Sequence, residues 1–262
     1  MGLFEGFKKY LQMKKAYDLI NQGKYHKAIE CYNKILEIDP NYAKAWDGKG
    51  VILKNLGKYH EALEANNRAL ELDPKSAEAW SNKGATLGKL GENQRSIECH
   101  NKALELKPRL SEAWYNKGTA LGELEKYHES LECFDKALKI YPMYFNAWYN
   151  KGVSYGELEM YNEEIECYNK ALEIDSNHAY VWNNKGLSLE KLGKTEDALE
   201  CFDYVLELDP TDVNSWIIKG LSLIKLGNCQ EAIECLDNAL KLDPKSEIAL
   251  KAKDKVLMFI KK

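Results

Sequence analysis

The tryptophans of this 262-residue chain recur at one fixed interval. Each lies 34 residues after the last: Trp46, Trp80, Trp114, Trp148, Trp182 and Trp216. The six prolines keep the same frame, and Ser176 stands at the one place where a proline is missing. A strict period of this length is typical of arrays in which one helical supersecondary unit is repeated. The sequence therefore predicts a quasi-linear array of helical hairpins, in which each unit packs only on its neighbours.

Seven such units are predicted, between a short helical lead-in and a C-terminal capping helix. The lead-in is 1–8, the units are 9–42, 43–76, 77–110, 111–144, 145–178, 179–212 and 213–246, and the cap is 247–262. In each unit a helix A carries the tryptophan, and a glycine such as Gly57 favours its end. A helix B follows and stops before the proline, because the residue before proline avoids the α region.

Composition narrows the classes of partner. Hydrophobic residues make up 45% of the chain and charged residues 30%, with a net charge of −4 and both signs interleaved. We expect no nucleic-acid partner, because no basic stripe is present to neutralise phosphates. No apolar run approaches the roughly 20 residues that a membrane span requires. The N-terminus lacks the pattern of a signal peptide, so a cytoplasmic protein is predicted.

Six of the seven cysteines share one position in helix B: Cys31, Cys99, Cys133, Cys167, Cys201 and Cys235. Equivalent helices of adjacent units are separated by an intervening helix, and neighbouring helix axes are about 8–10 Å apart. Disulfides require Cα atoms within about 7 Å. We therefore expect free, partly buried thiols in a reducing compartment, and no metal site, since metal ligands must converge.

No constellation of catalytic residues can be assembled from the sequence. The histidines His26, His60 and His128 share one repeat position, which spreads them along the array. Metalloprotease, phosphate-loop, nucleophile-elbow and paired-cysteine motifs are missing. The sequence predicts a protein that is not an enzyme and carries no cofactor.

The repeat itself resembles a known family. Tryptophan, a glycine four residues on, a Gly-x-Tyr turn, and the alanine and proline positions of helix B together resemble the tetratricopeptide repeat over 9–246. The resemblance implies an all-α, right-handed superhelical solenoid of helix-turn-helix repeats. It also implies a non-catalytic scaffold that binds a protein or peptide in its concave groove.

In such arrays the groove is lined mainly by helix A, just after the tryptophan. Carried onto this chain, the position two after the tryptophan gives an asparagine ladder: Asn82, Asn116, Asn150 and Asn184. The adjacent position adds Ser81, Tyr115, Tyr149 and Asn183. Toward the C-terminal end the lining becomes an apolar patch: Leu187, Ile217, Ile218, Leu221 and Ile224. Amide side chains both donate to and accept from a peptide backbone. The alternative is that duplication has merely copied a tolerated polar residue.

Lysines occupy a repeat position where the family usually has an apolar residue: Lys49, Lys83, Lys117, Lys151, Lys185 and Lys219. Their stems either pack while the ammonium groups reach solvent, or they form a cationic rail for an acidic ligand. A second open alternative concerns the whole protein. Apolar ends at Leu3–Leu11 and Val256–Ile260 could drive formation of a homo-oligomer, which would leave the groove idle.

The fifth unit, 145–178, departs most from the repeat. Glu164 takes a small-residue position, Ser176 replaces proline, and Glu159 replaces the turn glycine, a change that the fourth unit shares at Glu125. We expect the Glu164 carboxylate to face Gly152 and to need either solvent or a partner, because burying an unpaired charge is costly. This unit is predicted to be the least stable.

Overall fold

The computed structural model describes the backbone of residues 2–260 and contains fifteen α-helices within that range. They are α1 (Gly2–Asn21), α2 (Tyr25–Ile38), α3 (Ala43–Asn55), α4 (Tyr59–Leu72), α5 (Ala77–Lys89), α6 (Asn93–Leu106), α7 (Ser111–Gly122), α8 (Tyr127–Ile140), α9 (Phe145–Glu157), α10 (Tyr161–Ile174), α11 (Ala179–Lys191), α12 (Thr195–Leu208), α13 (Val213–Leu226), α14 (Cys229–Leu242) and α15 (Glu247–Ile260). No residue of 2–260 forms a β-strand. The all-α repeat fold is thereby confirmed. The side chains of Leu3, Phe4 and Phe259, named above in the apolar ends, lie outside the described residues.

The helices fall into two compact units, one ending at Pro142 and the other beginning at Met143. In the first unit, α1 to α8, each helix packs on the next along the chain, and the tightest pairs are a helix A with its own helix B. In the second unit, α9 to α15 pack in the same manner. Its last helix, α15, buries Ala249 and Ala252 against Leu236 and Ala239 of α14. The core of each unit is thus a continuous seam between successive helices.

Left-handed residues end helix A in the turn before helix B. Five turn glycines have positive φ values between 69° and 82°: Gly23, Gly57, Gly91, Gly193 and Gly227. In the fourth and fifth repeats the same turn is made by Glu125 and Glu159, each with φ of 58°. Side chains with a Cβ disfavour this region of backbone conformation. These two turns therefore carry local strain that the other five do not.

A side-chain hydrogen bond explains why tryptophan and proline share one frame. The indole Nε1 of Trp46 donates to the carbonyl of Pro40 at 2.9 Å, and Trp80, Trp114 and Trp216 bond in the same way to the proline six residues earlier. Trp182 makes the equivalent bond to the carbonyl of Ser176 at 2.9 Å. Since the acceptor is a backbone carbonyl, serine can replace proline without loss of this contact.

The mid-helix glycines of helix A make room for one large side chain of helix B. A Cβ added at Gly118 would lie 2.8 Å from Cε1 of Phe134, and one at Gly186 would lie 2.6 Å from Cε1 of Phe202. The small residue four positions earlier in helix B also lies close to the glycine: the Ala62 carbonyl oxygen would be 3.3 Å from a Cβ at Gly50, and Ser130 Oγ donates to the Gly118 carbonyl at 2.7 Å.

Candidate functional site

The predicted groove residues lie on the helices A of both units. Asn82 and Asn116 lie on α5 and α7 of the first unit, and Asn150 and Asn184 lie on α9 and α11 of the second. All four asparagines are half-buried. Their amides are therefore partly accessible, but their hydrogen-bonding partners differ from one repeat to the next.

Asn82 uses its amide inside the protein. Its Nδ2 donates to Oδ1 of Asp47 at 2.9 Å and joins α5 to α3. Burial raises the pKa of Asp47, and the bond from Asn82 opposes part of that rise. Asp47 directly follows Trp46, so sequence periodicity could have included it, but only the structure shows that it pairs with the next repeat. This asparagine is at least partly structural.

Asn116 faces an open cleft of about 460 Å³ in the first unit. The walls of this cleft include Tyr115 and the charged side chains of Lys54 and Glu112. Burial lowers the pKa of Lys54, and Glu112 opposes that effect. No side-chain hydrogen bond of Asn116 occurs among the described residues. Its amide is thus available at the surface of a polar cleft.

The same cleft is backed by His100, which is fully buried. Neither Nδ1 nor Nε2 of His100 has a hydrogen-bond partner among the described residues. Burial, followed by the positive charges of Lys54 and Lys117, lowers its pKa to about 3. The imidazole is therefore neutral at physiological pH and occupies the aromatic core position of its repeat.

Asn184 and Tyr149 form a connected pair in the second unit. Asn184 Nδ2 donates to the Tyr149 hydroxyl at 3.1 Å. The Tyr149 ring stacks on Tyr168 with centroids 5.8 Å apart and meets Tyr180 edge-on at 5.0 Å. Burial raises the pKa of Tyr149, so its hydroxyl stays protonated. The predicted aromatic contact is thus oriented by a neighbouring repeat.

A second cleft, of about 370 Å³, opens beside this pair and contains Glu164 in its wall. The Glu164 side chain is only 7% exposed, and the hydroxyl of Tyr168 donates to its Oε1 at 2.9 Å. A Cβ at Gly156 would lie 2.7 Å from that oxygen, whereas one at Gly152 would meet the Tyr168 ring. The expectation that Glu164 faces Gly152 was therefore wrong: Gly156 accommodates it, and Tyr168 is its partner.

Burial raises the pKa of Glu164, and contacts with the Ser188 and Tyr168 side chains offset part of the rise. Burial also raises the pKa of Tyr168, and the nearby Asn184 amide opposes part of that rise. Sequence reasoning found Glu164 as an anomaly but did not place it in a candidate site. The signal was present in Gly156, since a glycine facing the anomalous residue leaves space for a longer side chain.

The remaining predicted residues differ in how much surface they offer. Ser81 is 4% exposed and Ile217 is 6% exposed, and Ile217 packs in the core with Leu236 and Ala249. These two side chains do not line open surface, and we correct their assignment to the groove. Asn183 is half-buried, with an Oδ1 that is buried and unpartnered among the described residues.

Two residues of the predicted apolar patch retain accessible surface. Leu221 is 38% exposed, and Leu187 is 40% exposed. Ile218 is half-buried and packs against the core around Leu189 and Phe202. The apolar patch is therefore narrower than the sequence predicted.

The lysine ladder lies over the tryptophans. In all six repeats that contain a tryptophan, the lysine Nζ lies 4.8–5.9 Å from the centre of the indole ring three residues earlier. Lys219 also pairs with Asp203. Lys83 lines a different cleft, between α5 and α6, together with Arg95 and Glu98, and it is not among the lining residues of the cleft at Asn116. This packing favours the first of the two alternatives, in which the stems cover apolar surface and the cations interact with aromatic faces.

No helix within residues 2–260 is long and apolar enough to span a bilayer. The same part of the chain contains no group of three or more His, Cys, Asp or Glu side chains arranged to hold a metal ion.

Stacked helical hairpins with polar clefts on one helix of each pair define an α-helical repeat protein. Models of the tetratricopeptide repeat match residues 11–42, 77–110, 111–144, 145–178 and 179–212, and related models of the same repeat match 31–64, 50–91 and 213–246. The chain belongs to the tetratricopeptide repeat family. Members of this family are generally non-catalytic scaffolds for protein–protein interaction.

Solved structures agree with this assignment. YrrB, described as a tetratricopeptide repeat protein with an unusual peptide-binding site, is 28% identical, with a TM-score of 0.65 over 73% of this chain and 99% of its own. PilF of Pseudomonas aeruginosa is 20% identical, with a TM-score of 0.69 over 81% of this chain and 97% of its own. The C-terminal part of a repeat protein from Cytophaga hutchinsonii is 16% identical, with a TM-score of 0.72 over 92% and 98%. A search of curated proteins finds no match.

Proposed function

We propose that this protein is a non-catalytic scaffold that binds an extended peptide segment of a partner protein along its helices A. The observation that carries the proposal is Asn116, whose half-buried amide faces the cleft of the first unit without a side-chain partner among the described residues. An amide in this position can donate to a peptide carbonyl and accept from a peptide N–H. Tyr115 adds rigid aromatic contact area at low entropic cost.

The four asparagines of the ladder have different roles in this proposal. Asn116 supplies the free amide, whereas Asn82 and Asn184 are oriented by Asp47 and Tyr149 and offer a peptide mainly their carbonyl oxygens. Asn150 remains a predicted contact of the second unit. The peptide-binding site named for YrrB, at 28% identity, supports the proposal. Buried free thiols such as Cys133 fit a reducing compartment, and we propose a cytoplasmic location.

The test is selection of short random peptides on the full chain, followed by titration of a selected peptide against variants. We expect Asn116→Ala to weaken binding about tenfold, the effect of losing one to two hydrogen bonds. Asn101→Ala is the matched control, because Asn101 is exposed on helix B of the same unit. Equal affinities for wild type and both variants would contradict the groove assignment, and failure to select any peptide would contradict the function.

Exposed apolar side chains support self-assembly as a second candidate function. Phe7 and Tyr10 on α1 are 58% and 62% exposed, and Met258 on α15 is 67% exposed. Such surface often marks an interaction site. Sedimentation equilibrium of the intact chain and of a Phe7→Glu, Met258→Glu double variant tests this idea. A concentration-dependent mass that the double variant abolishes would support assembly, and a constant monomer mass would exclude it.

A further inference from the structure

The cleft at Glu164 in the second unit, hereafter the Glu164 cleft, has a wall unlike that of any other repeat. The equivalent position of helix B is small elsewhere: Ala28, Ala62, Ser96, Ser130, Ala198 and Ala232. Ser96 and Ser130 place their Oγ atoms 3.5 and 3.6 Å from a Cβ on the facing glycine, which is ordinary contact. A Cβ added at Gly156 would lie only 2.7 Å from Oε1 of the Glu164 carboxylate. Helix A therefore has a glycine where this carboxylate needs space.

The carboxylate is held in a defined orientation. Tyr168 donates its hydroxyl to Glu164 Oε1 at 2.9 Å. Asn184 donates to Tyr149 at 3.1 Å. Burying a carboxylate is costly unless a cation or hydrogen-bond donors compensate it. Tyr168 supplies one donor, and among the described residues no basic side chain lies within 4.0 Å of Glu164.

The rest of the lining suits a cation. Tyr149 and Tyr161 present aromatic surface to the cleft, and aromatic faces attract ammonium and guanidinium groups. Glu157 adds a second carboxylate, while Lys191 is the one basic side chain among the lining residues described. A preoriented carboxylate accepts a guanidinium fork in two parallel hydrogen bonds.

The first unit contains the counterpart of this cleft, 68 residues earlier in the repeat frame, with different chemistry. Glu157 corresponds to Lys89 and Lys191 corresponds to Glu123, so the charges on these two walls are exchanged. Glu164 corresponds to Ser96, which has no charge. The two clefts therefore have opposite charges at two equivalent wall positions, and they suit different side chains.

We propose that the Glu164 cleft binds a basic side chain, arginine or lysine, of the peptide that lies along the second unit. The inference rests on the proposed peptide-binding function and specifies its ligand at one subsite. Glu164 supplies the counter-charge and is oriented by Tyr168, Tyr149 and Tyr161 supply aromatic contact, and Asn184 holds Tyr149 in place. In the free protein the buried carboxylate lacks the cation that would offset its burial.

The test uses two acetylated, amidated pentapeptides, Gly-Gly-Arg-Gly-Gly and the same peptide with citrulline in place of arginine. Citrulline keeps the shape of arginine and removes its charge. Nuclear magnetic resonance of the ¹⁵N-labelled full chain follows the side-chain amides of Asn116 and Asn184 during titration. We expect the arginine peptide to shift Asn184 saturably and to bind about tenfold or more tightly than the citrulline peptide.

Two variants separate the role of the carboxylate from a general change of charge. Glu164→Ser restores the residue type of Ser96 and Ser130 and should remove the preference for arginine. Glu166→Ser makes the same charge change at an exposed position of α10 and should leave that preference intact. Retention of the wild-type preference in Glu164→Ser would overturn the inference.

The failure of this inference differs from the failure of the proposed function. If both peptides shift the asparagine amides with equal affinity, peptide binding stands and the basic subsite falls. If neither peptide shifts any amide up to its solubility limit, both proposals fall. A shift at Asn116 alone that depends on arginine would also overturn the assignment to the Glu164 cleft.

Discussion

The imidazole of His100 packs directly on the backbone of Gly84: a Cβ at Gly84 would lie 2.8 Å from both Cε1 and Nε2 of the ring. The equivalent pairs are Phe134 on Gly118 and Phe202 on Gly186. His100 thus fills a core position that other repeats give to phenylalanine. It does so with two ring nitrogens that have no partner among the described residues.

We predict that His100→Phe stabilises the protein. The substitution removes two unsatisfied buried nitrogens, which cost about 1–3 kcal/mol, and inserts a ring that fits the same space in two other repeats. Urea unfolding at neutral pH measures the gain. His128→Phe is the control, because His128 is exposed and should change the free energy of unfolding little. A loss of stability in His100→Phe would show that the site needs the smaller ring.

The same residue makes the wild type sensitive to acid. Its folded-state pKa is about 3, below the ordinary value of 6.5, so the unfolded chain binds the proton more tightly. Stability should therefore fall as pH drops below 6.5, by up to about 1.4 kcal/mol per pH unit from this group until its folded pKa is reached. His100→Phe should lack this component. Unfolding midpoints measured across this pH range test the difference, and parallel curves for both proteins would contradict it.

Strain at Glu125 and Glu159 predicts a second stabilisation. Both residues have φ of 58°, where a Cβ costs roughly 1–2 kcal/mol, while glycine costs somewhat more entropy on folding. The net expectation is a gain of about 0.5–1 kcal/mol for Glu125→Gly and the same for Glu159→Gly. Thermal unfolding measures it. The reciprocal control is Gly193→Glu, with φ of 73° in wild type, which should lose a similar amount.

A further prediction concerns the contribution of Glu164 to the stability of the free protein. Glu164→Ser should stabilise it by about 1 kcal/mol at neutral pH, because a buried carboxylate gives way to the residue of two other repeats. Because the folded-state pKa of Glu164 is raised, its unfavourable contribution is present at high pH and is relieved as pH falls through that pKa. The gain should therefore shrink on acidification. Glu164→Gln serves as a control that keeps the side-chain shape, and a loss of stability in both variants would indicate a purely structural role.

Because Asn82 is hydrogen-bonded to Asp47, we predict that alanine substitutions at two equivalent asparagines, Asn82 and Asn116, change the free energy of unfolding by different amounts. Asn82→Ala should lower the free energy of unfolding by about 1–2 kcal/mol, because it leaves the half-buried Asp47 carboxylate without its donor. Asn116→Ala should change it little, since that amide has no internal side-chain partner among the described residues. A double-mutant cycle with Asp47→Ala isolates the coupling. Zero coupling would contradict the bond.

The repeat fold could be predicted from the sequence, because it depends on residues that have the same role from one repeat to the next. Tryptophans such as Trp80 and turn glycines such as Gly91 mark helix A and its end, because each meets the same local geometry 34 residues later. Local geometry of this kind is readable from one chain. It predicted the all-α repeat fold, which the helices and the family assignment confirm.

The chemistry of the clefts could not be predicted, because it depends on contacts between successive helices. Periodicity placed Ser81 and Ile217 beside the groove, but helix rotation buries both. It identified Glu164 as an anomaly, but not that the carboxylate lies under Gly156 and bonds Tyr168. Equal spacing in the sequence identifies equivalent positions along the array. It does not reveal which of the equivalent amides already has a hydrogen-bond partner inside the protein.

The stacking of a lysine on each tryptophan has a consequence for optical measurements. In all six repeats that contain a tryptophan, an ammonium lies over the indole, 4.8–5.9 Å from the ring centre. The indole N–H donates to a backbone carbonyl at Trp46, Trp80, Trp114, Trp182 and Trp216. The fluorophores thus share a nearby cation, while Trp114 has a second ammonium, that of Lys136, at 4.4 Å and Trp182 has the Tyr204 ring at 4.6 Å. A repeat that opens locally would lose its lysine contact and its indole hydrogen bond together. Its tryptophan emission would then differ from that of the folded repeats, so fluorescence would report where along the array the chain has opened.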